Sequence, residues 1–450
     1  SDGMAEEILN SLARVKGLKV ASRTSSFQFR GATRGVPAIA GDLGVRHILE
    51  GSVRKAGDTI RVTAQLIDAK TDAHLWSETF DRRLSAENIF AIQTEIAAAI
   101  LAALKPRIGI DITEGAPAPS VRTSNVEAYE LFLKARALYQ SRRDLGEADH
   151  LLERALAIDP RFADALAIRA GIHQFGGEYG ARLGDERDAR ARGQRFAEEA
   201  LAIDPQNADA LAILGLSRLY DRIADTASGG YPEIFADFAR ALEIEPANAN
   251  ALNWAGIAHA FLGEHEKAFE VHRRCIAADP ALAACRTNLV MELMALGRMK
   301  ESEAALDAAL AQGAFASGPG QLILLASFKR RDAFLALAPT LPALRGYRAL
   351  DRLYAALAEP GGDDRALAAE LKAVFAQNEA TVRAGVLLVA LGDYSERPVI
   401  TVQWGPLYAD YRRSAEFKRF IRETGADRYW RAAGFPPQCK PVGEDDFVCE

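Results

Sequence analysis

No apolar stretch in this chain is long enough to cross a bilayer. The longest, Ile96 to Leu104, lies between Glu95 and Lys105 and is about half of the roughly 20 residues a spanning helix needs. Positive charge is not in excess either: 55 Lys and Arg stand against 61 Asp and Glu, a net charge of −6. That balance argues against a chain built to neutralise nucleic-acid phosphate or anionic lipid. Cysteine is scarce, and its four residues fall into two close pairs, Cys275 with Cys285 and Cys439 with Cys449. Neither pair has CxxC spacing or a histidine at zinc-ligand distance, so no metal centre is expected. The signatures GxxxxGK and HExxH are missing, and no GxSxG follows a strand. Catalytic residues and a cofactor are therefore not expected. The opening SDGMAEEI has neither a basic start nor an apolar signal core, so no targeting address is expected from it.

The chain does have ample material for a core, with 49% apolar and 26% charged residues over 450 positions. That length predicts two or three domains or one elongated array. Residues 1–106 read as a small α/β domain with a mixed sheet. Ala5, Ile8, Leu9, Leu12 and Val15 share a helical face, and Leu18 to Ser22 follows as a short strand. Ile39, Ala40 and Leu43 predict a second helix ending at Gly44. His47 to Lys55 and Thr59 to Ile67 predict a hairpin across Ala56, Gly57 and Asp58. In its second strand Ile60, Val62, Ala64 and Leu66 share one face, with Arg61, Thr63 and Gln65 on the other. His74 to Phe80 is a weaker third strand. Ile89, Ile92, Ile96, Ile100 and Ala103 predict a closing helix that stops at Pro106.

Residues 107–125, containing TEGAPAPSVRTS, lack apolar periodicity and read as a linker. Charge divides there, about +2 before and −8 beyond. Residues 126–312 are repetitive. ALAIDP ends at Pro160 and Pro205, ALEIEP at Pro246 and CIAADP at Pro280, at intervals of 45, 41 and 34 residues. Thirty-four is the tetratricopeptide period, in which antiparallel helix pairs bury their apolar faces only by stacking on neighbours. Gly256, Ala268 and Pro280 fill the motif positions of one unit, Leu214 and Gly215 those of the unit before it, and Ala170 that of the earlier one. The excess lengths predict insertions near GGEYGARLG and DTASGGYP. Leu289, Ser302 and Ala309 fit a fifth unit. Residues 313–450 are expected to be degenerate helical repeats and a C-terminal cap, ending in an amphipathic helix through Phe417, Phe420, Ile421, Tyr429 and Trp430. The fold class is thus α+β multidomain, with an all-α superhelical solenoid behind a small front domain.

The stretches DGMAEEILNSLARV, VASRTSSFQFRG, LGVRHILEGSVRKAGDTIRVTAQLIDA, HLWSETFDR and IFAIQTEIA match in order and spacing a known pattern. In them the front domain resembles the TolB amino-terminal-like domain. In bacteria that domain commonly precedes tetratricopeptide repeats in class III adenylate cyclases and winged-helix regulators. The tail segments WRAAGFPPQC and EDDFVC are similar to the ends of such proteins. Members usually place a strand before the DGMAEEI helix. The resemblance therefore implies a sheet lacking its first strand, an unpaired edge, and an effector domain upstream. It implies a sensory or scaffolding arm and supplies no catalytic activity.

Several candidate sites follow. The first helix of each repeat lines the concave face, which places Asp209, Ala212 and Leu216, then Asn250, Asn253 and Ile257, then Thr287, Met291 and Met294 along one groove. Asparagine amides can hold a peptide backbone and methionines adapt to apolar side chains, while the same positions can also merely cover the surface. Arg23, Thr24 and Ser25 could hold an anion or cap the next segment. Gly176, Gly177, Gly180 and Gly184 read as a flexible turn. His259, His265 and His272 read as solvated histidines, and Glu444, Asp445 and Asp446 as a solvated acidic run. Cys275 reads as a small core residue on a helix. A Cys439–Cys449 disulfide would tie down a loose end; with it the chain belongs in an oxidising periplasm, and otherwise in the cytoplasm. The expected partner is a protein or peptide, with self-association to a homodimer as a further prospect and no nucleic acid. Alternatives are an envelope assembly factor pairing through the sheet edge, or a small-molecule anion sensor.

Overall fold

A computed structural model describes residues 34–56, 59–83, 125–142, 144–179, 181–224, 230–280, 282–313, 318–359, 364–378, 381–395 and 402–450. It also describes positions 9, 12, 18, 20, 21, 26, 29, 31, 95, 96, 98–100, 102, 103, 123 and 315. Most of the predicted first helix, the linker and Arg23, Thr24 and Ser25 lie outside the described residues.

Helix α1 (Val36–Leu43) begins with proline in its first turn and ends on Gly44, whose φ of 64° is the left-handed conformation that suits glycine. Strands β1 (His47–Ala56), β2 (Thr59–Asp68) and β3 (Ala73–Arg83) form an antiparallel meander in the order β1-β2-β3. Alternation on β2 decides which face is covered. Ile60, Val62, Ala64 and Leu66 are buried with Phe80, and the helical residues Ile96 and Ile100, together with Leu12, pack over them. On the other face Arg61 holds Asp81 through two bonds of 2.7 and 2.8 Å. A register shift at Leu66/Ile67 leaves both residues buried.

Three expectations need correction. All described strands of this sheet are antiparallel rather than mixed. Leu18, Val20 and Ala21 belong to no strand, and Leu18 and Val20 instead pack half-buried beside the sheet core. Ala56 pairs with Thr59, so the hairpin connection is two residues, not three.

The chain divides into two compact units, residues 1–214 with 239–251 and 277–281, and residues 215–238 with 252–276 and 282–450. Five helix pairs follow the repeat pattern: α2 (Val126–Ser141) with α3 (Leu145–Ile158), α4 (Ala163–Phe175) with α5 (Glu186–Ile203), and α6 (Ala208–Ile223) with α7 (Tyr231–Ile244). The fourth is α8 (Ala249–Phe261) with α9 (His265–Ala278), and the fifth α10 (Ala283–Ala295) with α11 (Met299–Ala311).

In the first unit a side-chain device recurs where helices begin. Asn125 Oδ1 accepts from the Ala128 amide at 3.0 Å. Asn207 Oδ1 accepts from Ala210, while its Nδ2 donates to Asp164 at 2.8 Å on the preceding first helix. Asn248 repeats this with Ala251 and Asp209, both at 2.9 Å. Each asparagine satisfies an orphan amide of its own helix, and the latter two also tie it to the first helix of the preceding repeat. The predicted first insertion contains a 3-10 turn, Gly176–Tyr179, before α5.

In the second unit Leu282 precedes α10 with no side-chain cap. Here Cys275 of α9 is bonded to Cys285 of α10, both buried, with Cα atoms 6.1 Å apart. Cys275 is therefore a cross-link and not a plain core residue. Gly256 meets the His272 ring and Gly215 the Phe238 ring, the close approaches expected at those positions.

Beyond α11 come α12 (Pro319–Ser327), α13 (Arg331–Leu337), α14 (Leu350–Ala358), α15 (Arg365–Gln377), α16 (Thr381–Ala390), α17 (Ala409–Arg413), α18 (Ala415–Glu423) and α19 (Ala426–Ala433). A hairpin of β4 (Cys439–Val442) and β5 (Asp446–Cys449) closes the chain. The terminal part does not simply extend the row of repeats. Trp404 and Gln403 donate to the Phe261 carbonyl, Trp430 to that of Leu262, Gln438 to that of Ala295, and the Tyr231 hydroxyl to Thr424. Carbonyls left open at the ends of α8 and α10 are thus satisfied by residues more than a hundred positions downstream. Among the described residues no helix is long and apolar enough to cross a membrane.

Candidate functional site

Most of the nine predicted groove residues are not on an open surface. Ala212, Leu216, Asn253, Thr287, Met291 and Met294 are buried, while Asp209, Asn250 and Ile257 are half-buried. Thr287 Oγ1 donates to the Ala283 carbonyl of its own helix. Asn253 Oδ1 accepts from Asn288 at 3.0 Å, and Asp209 is held by Asn248. The methyl of Met294 lies close to Gly405, and that of Met291 close to Gly320. Helical spacing says which side chains share a face but could not register the downstream segment that covers the methionines.

What the first unit does bring together is a cluster around Arg142, which the sequence reading missed. Arg142 ends α2 in the left-handed conformation, φ 53°, a strained setting for a residue with a β-carbon. Its guanidinium carbon lies 4.6 Å from the Tyr139 ring centre, 4.3 Å from that of Phe175 and 5.9 Å from that of Tyr179. Nη1 donates to the Tyr139 carbonyl at 3.0 Å, and Nη2 donates to Asn250 Oδ1 at 2.7 Å. Aromatic faces attract a partly desolvated guanidinium, and its planar donors fix its orientation. The Tyr139 ring fits against Gly171. Burial pushes the Tyr139 hydroxyl up to about 12, with Arg142 pulling the other way.

Tyr179, at the end of the 3-10 turn, is 37% exposed. It also borders an open cavity of about 360 Å³ lined by Leu138, Asp144, Leu145, Glu147 and Arg182. Asp144 is again left-handed, φ 46°. One short turn therefore holds two of the four non-glycine residues with positive φ among the described residues. Phe175 and Tyr179, four residues apart around the end of α4, were visible in the sequence; the return of Asn250 to that spot was not.

The predicted solvated residues are also placed differently. His259 is half-buried and bonded to Glu264, and His265 and His272 are buried. Asp446 is paired with Lys418 and Arg422. Cys439 and Cys449 face each other across the terminal hairpin and are joined, with Cα atoms 4.0 Å apart. No group of three potential metal ligands occurs among the described residues.

Fold and site define a helical-hairpin repeat protein carrying a small antiparallel sheet domain. No family model matches the chain. Over 185 residues it is 39% identical to a protein of Rhizobium meliloti (strain 1021) named "Putative adenylate cyclase 3"; the match covers 39% of this chain and 31% of that protein. The chain thus spans under a third of that relative's length. Among solved structures it is similar to TTC0263, a thermophilic TPR protein of Thermus thermophilus, at 17% identity and a TM-score of 0.32, covering 51% of this chain and 98% of that one. It is also similar to the type IV pilus biogenesis factor PilW, at 21% identity and a TM-score of 0.35, covering 51% and 98%. A third is the pilF protein of Pseudomonas aeruginosa, at 19% and 0.35, covering 51% and 97%.

Proposed function

We propose that this chain is a non-catalytic interaction arm of a bacterial signalling protein, holding a protein or peptide partner on its helical repeats. The observation that carries this is the repeat architecture itself. Each helix pair covers only part of its surface, and stacked pairs present continuous faces suited to a partner rather than a reaction pocket. The Arg142 turn, with Asn250 and the exposed Tyr179 ring, is the part of the first unit best built to meet that partner. The stretch shared with a protein named as a cyclase supports a place in signalling, with the front domain acting as a TolB-like relay to an upstream effector. The test is photo-crosslinking in the native cell from an unnatural amino acid at position 179 or 250, with the adduct identified by mass. One defined partner, lost on Arg142→Ala, supports the reading. No adduct from either position under any growth condition sinks it.

A second reading, an envelope assembly factor, is favoured by one observation: all four cysteines are bonded in pairs. Such bonds persist in oxidising compartments. Acid-quenched alkylation of the native protein separates the cases. Four thiols labelled without reduction place the chain in a reducing compartment and remove this reading.

A further inference from the structure

Three ionisable side chains are sealed inside the junction of the fourth and fifth repeats. His265 and His272 of α9 and Glu292 of α10 expose 3, 0 and 1% of their surface. His265 Nδ1 donates to Glu292 Oε2 at 2.6 Å. Neither ring nitrogen of His272 has a hydrogen bond of ordinary geometry, and His265 Nε2 and Glu292 Oε1 have none either. Buried polar atoms without partners are few in folded proteins, and each requires an explanation.

His272 Nδ1 stands 3.8 Å from Glu292 Oε1, beyond direct bonding distance. The ring is packed against α8, where a β-carbon on Gly256 would lie 2.7 Å from Cδ2 and Cε1. It cannot retreat that way. The groups facing it are Glu292 from α10, whose other oxygen His265 holds, and from α8 the Asn253 backbone and His259, which is itself bonded to Glu264. Burial holds His272 below the ordinary histidine value against the pull of Glu292. Glu292 gives one oxygen to His265 and holds the other beyond bonding distance of His272. A proton on His272 therefore adds a positive charge that is sealed from water and not hydrogen-bonded to that carboxylate.

We propose that this junction is an acid-sensitive hinge: protonation of His272 loosens α9 from α10, while the Cys275–Cys285 bond between the same two helices keeps them tethered. In a repeat stack each interface contributes separately to stability, so one junction can open while others hold. The sign follows from linkage. A histidine kept neutral in the closed junction takes its proton only on opening, so the closed form is favoured above about pH 6.5 and loses ground below it. One such proton shifts the equilibrium up to about tenfold per pH unit.

Amide hydrogen exchange of the whole chain at pH 7.5 and pH 5.0, corrected for the intrinsic pH dependence of exchange, reads this directly. Protection across residues 265–295 should fall by about tenfold or more relative to residues 145–175, and His272→Leu should abolish the fall. Unchanged relative protection in the wild type, or the same fall in the variant, overturns the proposal. Should His272→Leu fail to fold, the Cε1 proton resonance of His272 in the wild type decides. It must titrate in step with the loss of protection, and a His272 still neutral when protection is gone overturns the hinge.

Discussion

Arg142 and Asn250 are 108 positions apart in the chain, yet Arg142 Nη2 donates to Asn250 Oδ1 at 2.7 Å. The bond joins the end of the first repeat's first helix to the start of the fourth repeat's, and three aromatic rings surround the same guanidinium. Arg142→Ala is expected to cost about 2 kcal/mol and Asn250→Ala about 1 kcal/mol. The double variant should fall short of their sum by about 1 kcal/mol, since both remove one bond. Arg142→Lys should recover little, because an ammonium neither stacks as a plane nor reaches two acceptors in one geometry. Urea unfolding of the wild type and the four variants checks this, and additive losses would show that the pair does not couple.

Gly256 offers a cleaner test of packing. A β-carbon there meets the buried His272 ring, which has no free side to move toward. Gly256→Ala should destabilise by about 1–3 kcal/mol despite alanine's better helix propensity. Gly146, near the start of α3, has open space where its β-carbon would be. Gly146→Ala should therefore be neutral or stabilising by about 0.5 kcal/mol. Thermal unfolding of the two variants should move in opposite directions; a shared direction would mean that the His272 contact is not what limits position 256.

The repeated asparagines make a paired prediction. Asn248→Ala removes a cap and a bond to the half-buried Asp209, and should cost about 1–2 kcal/mol. Asn207→Ala removes the same cap together with a bond to the buried Asp164, and should cost more. Equal losses in denaturant titration would indicate capping alone, with nothing added by the link to the preceding helix.

Acid should act on the first unit through Asp149. Burial pushes its carboxyl up, but bonds from His173 at 3.1 Å and Arg169 at 2.9 Å outweigh this and hold it below the usual carboxylate range. A carboxyl lower in the folded than in the unfolded chain contributes stability above its unfolded value of about 4, and that contribution is lost as pH falls through the folded value. The difference in Tm between wild type and Asp149→Asn should accordingly shrink from pH 5 to pH 3. A constant difference would mean that Asp149 does not titrate differently in the two states.

How far the sequence could be read depends on whether the deciding contact is local. Alternation of Ile60, Val62, Ala64 and Leu66 announced a half-covered strand, and both ends of each cross-strand pair lie within a few turns of chain. Gly256 and Gly215 announced close helix pairs, because two helices joined by a short turn must approach where a side chain is absent. The burial of Met291, Met294 and His265 had no such local mark. Helical spacing says which residues share a face, whereas what covers that face is fixed by Val402, Trp404 and Gly405, remote in sequence and without motif. Arg142 went unread for the same reason: its hydrogen-bond acceptor stands on another repeat.

That remote cover yields the last prediction. Residues 402–450 are held to the rest of the second unit by Trp404, Trp430 and Gln438, and within themselves by Arg412. Its guanidinium donates to the carbonyls of Glu450, Gln403 and Gly405. The hairpin has further anchors in buried Phe447 and in the bonds of Asp446 to Lys418 and Arg422. Breaking Cys439–Cys449 with a double serine variant should therefore loosen only the hairpin, at about 2–3 kcal/mol or less for so short a loop. Ending the chain at residue 401 should do far more, because Phe261, Met291 and Met294 lose their cover and the carbonyls of Phe261 and Leu262 lose their donors. Exchange protection in α8 and α10 distinguishes the two variants. It should persist in the serine variant and collapse in the truncated chain, with apolar-dye binding rising only in the latter. Intact protection of α8 in the truncated chain would show that the repeats complete their own core and that the tail merely rests on them.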